Sequence, residues 1–202
     1  MSELWELEEA LFAEGYATIC GVDEAGAGPL AGDVYAAAVI LPPGLELPYL
    51  NDSKKVTPKR REVLFGQIKE QALAWAIGTA TAQEIDELDI LNCRMLAMNR
   101  AIQGLSIRPD LALIDGNRNK GSKISITMPN RTIVKGDSRS ASIAAASILA
   151  KVARDHYMEE LDAQYPQYQF AKHKGYGTKL HYELLREYGP SPVHRRSFLK
   201  NL

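Results

Sequence analysis

The chain has 202 residues, 46% of them hydrophobic, so roughly 70% of its unfolded surface can be buried in a core that needs no disulfide staples. With 24 Lys+Arg against 25 Asp+Glu and a formal net charge of −1, wholesale disorder and a polybasic tail are poor readings. The charge is nonetheless uneven: residues 1–116 hold 9 basic and 18 acidic side chains, and residues 117–202 hold 15 and 7. That split suggests a basic part that holds a polyanion and an acidic part that handles a cation. Cys20 and Cys93 lack metal or framework spacing and read as buried thiols of a reducing compartment. The opening residues 1–16 carry five glutamates and no basic group, unlike a secretory or transit signal, and no apolar run reaches the ~20 residues of a bilayer span. A cytoplasmic protein without a membrane partner is expected.

In chain order, Leu4, Leu7, Leu11 and Phe12 recur at helical spacing in the glutamate-rich opening. Residues 18–22 read as a buried strand, and 34–41 as a second one ended by Pro42-Pro43, the two forming a hairpin across a glycine-rich bend. A helix over 58–73 with proline in its first turn, a strand over 75–81 and a helical stretch over 85–105 follow. Residues 111–114 form an uninterrupted apolar strand of the kind buried on both faces. Strands over 124–128 and 131–135 are expected around a Pro129-Asn130 turn, then a Ser/Ala-rich helix over 140–161 and a basic tail with a helix over 179–188. The pattern predicts a single α/β domain over 1–202 with a basic helical C-terminal appendage from about 160.

Chemistry concentrates at strand ends. Asp23 and Glu24 follow each other where the first strand runs into Gly26-Ala27-Gly28, and an unpaired buried carboxylate there is costly. The glycines fit neither standard phosphate loop. The third glycine of a dinucleotide fingerprint is one place late at Gly32 and a strand follows, while 116–123 ends in Ser-Lys where a Walker loop has Lys-Ser/Thr. Asp115 ends the 111–114 strand, at the edge where open α/β sheets place their sites, and Asp137 ends another strand before a helix. Singly these are a turn former and a helix cap. Jointly they place four carboxylates on three strand ends. Two such charges 4 Å apart repel by about 4 kcal/mol at an effective dielectric of 20, so convergence requires a cation or protons. The all-oxygen set favours Mg²⁺ or Mn²⁺ over zinc.

Six segments in series carry a family resemblance: Gly21-Val-Asp-Glu-Ala-Gly with Gly-Pro-Leu-Ala-Gly, Asp52-Ser-Lys-Lys55, Leu113-Ile-Asp-Gly-Asn117, Lys135-Gly-Asp137, 144–155 (AAASILAKVARD) and Lys174-Gly-Tyr-Gly-Thr178. Together they closely resemble bacterial ribonuclease HII, the type 2 ribonuclease H, from residue 21 to about residue 198. The resemblance implies a ribonuclease H-like mixed sheet flanked by helices. It implies that Asp23, Glu24, Asp115 and Asp137 are the catalytic, metal-holding acids, with two ions engaged during catalysis. It also implies cutting of the RNA strand of RNA–DNA hybrids and incision 5′ of single ribonucleotides in duplex DNA, leaving a 3′-hydroxyl and a 5′-phosphate. The family has Gly-Arg-Gly where this chain has Gly26-Ala27-Gly28, so the arginine's share of substrate grip is lost here. Tyr176 matches the tyrosine that packs on the neighbouring deoxyribose.

Ser53, Lys54, Lys55 and Lys174 join these as substrate-binding candidates, with Lys179, Arg195 and Arg196 as further phosphate contacts. His181 reads as a partly exposed structural histidine, and Asp155 as a partner of Lys151 or Arg154. The alternative is another two-metal nuclease or strand-transfer enzyme of the same fold without ribose specificity. A nucleic-acid-binding module without catalysis leaves the costly acids unexplained. A monomer is expected.

Overall fold

The computed structural model describes residues 3–51 and 53–200. A short 3-10 turn leads into α1 (Glu6–Ala13), followed by β1 (Ile19–Ala25) and β2 (Val34–Ile40). Next come α2 (Pro58–Gln71), with Thr57 capping its N-terminus and Pro58 in its first turn, and β3 (Ala74–Ala80). The helical stretch expected over 85–105 is two helices, α3 (Ala82–Leu88) and α4 (Ile90–Gln103). They break at Asp89, whose backbone takes φ 72° while its carboxylate accepts from the Asn92 N–H and so caps α4. The chain continues through β4 (Leu111–Asp115), β5 (Asn130–Ile133), α5 (Ala141–Gln164), the single turn α6 (Phe170–His173) and α7 (Lys179–Tyr188).

The strands form one mixed sheet in the order β3-β2-β1-β4-β5. β1 runs antiparallel to β2 and parallel to β4, and β4 runs parallel to β5. The crossover that seats β4 beside β1 aligns Val22 with Ile114, so Asp23 and Glu24 of β1 and Asp115 of β4 lie at the same end of the sheet. The 124–128 segment is not a strand. Its polar backbone is satisfied partly from α4 and partly from the preceding loop: Asn92 Oδ1 accepts from the Lys123 and Ile124 N–H groups, Asn99 Oδ1 accepts from Thr127 N–H, Asn99 Nδ2 donates to Ser125 O, and Ile126 N–H donates to Asn119 O. Consequently β5 is no hairpin partner of that segment and pairs only with β4.

Alternation along β1 sends Cys20 and Val22 into a core shared with α4, with Cys93, Met95 and Met98 opposite. The other face carries Gly21, where a Cβ would stand 2.1 Å from the Ser142 carbonyl carbon. Glycine therefore lets the first turn of α5 lie directly on β1. Small residues Ala144, Ala145 and Ala146 extend that close approach into a second core. A third, built on Leu30, Met158, Tyr168 and Phe170, joins the C-terminal helices to α5. Both cysteines are buried and free. Among the described residues no helix is long and apolar enough to cross a membrane.

Candidate active site

A cleft of about 410 Å³ opens at the sheet edge where β1 and β4 end. Asp23, Glu24, Asp115 and Asp137 line it, with Gly26, Ala27, Gly28, Ser53, Lys54 and Tyr176. Local hydrogen bonds place the acids. Asp23 Oδ1 accepts from the Glu24 N–H at 2.7 Å. Asp115 Oδ1 accepts from the N–H groups of Gly136 (2.7 Å) and Asp137 (3.3 Å), which ties the turn after β5 to the end of β4 and carries Asp137 into the cleft. Glu24 leaves β1 toward the α4 side and meets Arg94 of α4 at 2.5 Å.

Burial first, then the charges of Glu24 and Asp115, push the Asp23 carboxyl well above the ordinary carboxylate range, against the stabilising Glu24 N–H. Glu24 is also raised, by burial, with Arg94 opposing. These shifts report negative charge accumulated in a poorly solvated place. In the conformation described, no three His, Cys, Asp or Glu side chains among the described residues converge on one coordination point. One Glu24 oxygen is held by Arg94 and one Asp115 oxygen by the turn.

Other expected contacts are distributed differently. Lys55 is exposed and not among the cleft-lining residues. Lys174 points its ammonium to Glu159 at 2.7 Å, away from the cleft lining. Lys179 is 92% exposed along its side chain and lies 3.8 Å from Glu183. Asp52 of the Asp52-Ser-Lys-Lys55 motif lies outside the described residues. Asp155 bonds Lys151 at 2.6 Å.

Arg195 is no surface phosphate contact. It is fully buried and donates from Nε to Gly32 O, and through its two terminal nitrogens to Ala27 O and Gly26 O. Arg154, 1% exposed, does the same for Asp33 O, Ala31 O and Lys174 O. Burial and the neighbouring Arg154 charge push Arg195 down to about 9, which leaves it protonated at neutral pH.

His181 is fully buried, not partly exposed, and belongs to a relay. The Ser191 N–H donates to His194 Nδ1, which assigns the proton of that ring to Nε2, 3.0 Å from His181 Nε2. His181 in turn donates from Nδ1 to Tyr176 O at 3.0 Å. Every ring in this arrangement is neutral. Burial agrees, pushing His181 down to about 4 and His194 to about 3.

Sequence reasoning missed three residues. Ser147 and Lys151 of α5 line the cleft one helical turn apart, a spacing readable once α5 is known to face β1. Arg94 had no local signal, since only the packing of α4 across the sheet brings it to Glu24.

The ribonuclease HII family model matches residues 20–201. A ribonuclease HII of Vibrio parahaemolyticus is 55% identical over 193 residues, covering 96% of this chain and 90% of that protein. One from Desulfitobacterium hafniense is 57% identical over 191 residues, 95% of this chain and 72% of its own length. Among solved structures, ribonuclease H2 from Pyrococcus horikoshii OT3 superposes with a TM-score of 0.73 at 25% identity, covering 90% of this chain and 93% of that one. The sheet order and the agreement from β1 to the C-terminal arginines leave one conclusion: this chain belongs to the ribonuclease HII family and is a ribonuclease H.

Proposed function

We propose that the cleft hydrolyses the RNA strand of RNA–DNA hybrids and incises duplex DNA 5′ of single ribonucleotides, leaving a 3′-hydroxyl and a 5′-phosphate. The observation that carries this is one cleft lined by four acids, a glycine loop and Tyr176. Asp23, Glu24, Asp115 and Asp137 would hold two divalent ions, Mg²⁺ or Mn²⁺. Their hard oxygen donors suit such cations, and the raised Asp23 and Glu24 carboxyls mark an excess of negative charge that a cation relieves. Bound there, divalent ions supply a nucleophile from water and stabilise the leaving oxygen of the cut phosphodiester.

The chain's own residues do the rest. Lys54 and Lys151 line the cleft and favour the phosphate backbone electrostatically. Gly26 and Gly28 let the main chain come close to a sugar, where backbone groups can bond a 2′-hydroxyl that both donates and accepts. Tyr176, 45% exposed, offers its ring to the adjoining deoxyribose. Residues 1–202 act as one catalytic domain, with about 160–202 as its helical appendage, in a cytoplasmic monomer.

The test is cleavage of matched duplexes bearing zero, one and several ribonucleotides, in Mg²⁺ and in Mn²⁺. Cutting only where ribose is present supports the proposal. Equal cutting of the all-DNA duplex would favour a nuclease or strand-transfer enzyme without ribose specificity. Tyr176→Ala should lower incision at a lone ribonucleotide about tenfold, in line with a lost stacking contact, while Mn²⁺ affinity measured by calorimetry stays unchanged.

A further inference from the structure

We infer that Arg195 is a specificity-positioning residue: by holding the carbonyls of Gly26 and Ala27 inward, it presents the N–H groups of Ala27 and Gly28 to the 2′-hydroxyl of the substrate. The inference rests on the ribose-selective reading of the cleft and names what sets that selectivity in this chain.

Planar peptides fix the directions of the loop's polar groups. Among the described residues there is no cis peptide bond, so the C=O of residue 26 and the N–H of residue 27 point in opposite directions, as do the C=O of 27 and the N–H of 28. Arg195 donates to the first carbonyl at 2.6 Å and to the second at 3.0 Å, both from within the protein. The paired N–H groups therefore face away from Arg195, on the side where residues 26–28 line the cleft. The third donor of the same guanidinium takes Gly32 O at 2.9 Å, closing the far end of the loop. One rigid, planar fork thus fixes both ends of the segment that follows the acids.

Arg154 extends the support. Its guanidinium bonds Ala31 O and Asp33 O on this loop and Lys174 O on the other recognition loop, and it lies 6.0 Å from the Tyr176 ring centroid. A Cβ on Gly26, whose φ is +90°, would stand 2.0 Å from Arg154 Nε, so only glycine leaves room for this arrangement. The two loops that approach the sugar are held from behind by buried guanidiniums bonded to main-chain carbonyls. Such bonds are charge-assisted, and they also make the N–H groups on the far side of each peptide better donors. A lysine at 195 keeps the charge but cannot span three carbonyls with one planar group.

The experiment compares full-length wild type with Arg195→Lys. Binding is measured in Ca²⁺ to a duplex with one ribonucleotide and to its all-DNA counterpart, and kcat/KM is measured in Mg²⁺ on a lone-ribonucleotide duplex and a long hybrid. We expect the ribose-to-deoxyribose binding ratio to fall roughly tenfold or more, the cost of misplacing one or two good hydrogen bonds, with Mn²⁺ affinity unchanged. A folded variant that keeps the wild-type ratio, including one that loses all substrates equally, overturns the inference. Should Arg195→Lys fail to fold, the wild-type amide resonances of Ala27 and Gly28 decide. They should shift with the ribonucleotide duplex and not with the all-DNA duplex, and identical shifts overturn the inference. A wild type that does not distinguish the two duplexes defeats the functional reading itself, a result separable from either outcome for Arg195.

Discussion

Asp23 and Arg195 are both buried ionisable groups, one lining the cleft and the other bonded behind its 26–28 loop, and their surroundings treat them in opposite ways. Around Asp23, burial first and then the neighbouring carboxylates keep its carboxyl raised, against the opposing pull of the Glu24 N–H. Around Arg195 three carbonyls fill a planar fork. A buried ion whose donors and acceptors are matched is complete in itself, whereas one set among like charges is destabilised until something else arrives. On the proposed function the acid side receives a ligand and the arginine side holds a shape.

The largest effect that can break this comparison is Asp23→Asn. Asparagine can still accept the Glu24 N–H, so the fold is kept, while cleavage of a hybrid should fall by about 10³-fold or more. Because the Asp23 carboxyl is raised in the folded state, its ionisation costs stability as pH rises through that raised value. The variant should therefore be as stable as wild type or more stable at pH 8 in thermal melts, and a marked loss of stability would show that Asp23 is structural.

The neutral histidine relay gives the next effect, with the opposite sign. His181 and His194 titrate at about 4 and about 3 when folded, below the ordinary value, so the unfolded chain binds more protons below pH ~6.5. Stability is fully present above that value and is lost as pH falls toward 4, by about 2 kcal/mol at pH 5 for one such histidine. Urea unfolding at pH 7, 6 and 5 checks the slope, and His194→Gln should flatten it. A wild type equally stable at all three pH values would contradict the neutral relay.

The smallest effect sharpens the acid side. Arg94 holds Glu24 at 2.5 Å while its buried Nε has no partner, so it competes with any cation for that carboxylate. Arg94→Met should tighten Mn²⁺ binding about three- to tenfold by calorimetry, the scale of one screened charge removed near a surface. An unchanged or weaker affinity would mean that Arg94 orients Glu24 for the ion instead.

Much of the acid side was readable from the chain, because Asp23, Glu24 and Asp115 fall at the ends of apolar runs that periodicity marks as strands, whereas Asp137, expected at a strand end, sits in a short 3-10 turn beyond β5. What was hidden is the crossover that seats β4 against β1, since no local pattern encodes strand order. The arginine side was misread for a different reason. Arg195 sits in a basic stretch that composition assigns to the surface, and only long-range packing shows its carbonyl partners. The 124–128 segment failed similarly: its apolar residues suit a strand, but Asn92 and Asn99 satisfy part of its backbone from another element. Arg94 and Glu24 likewise meet through tertiary packing alone.

The bond between Arg195 and Gly26 joins positions 169 apart in sequence. During synthesis, residue 26 leaves the ribosome long before residue 195 has been added. A nascent chain can therefore pair β1 with β2 while the loop between them still lacks its buttress. The loop on which the proposed ribose reading relies therefore takes its buttressed form only after residue 195 has been made.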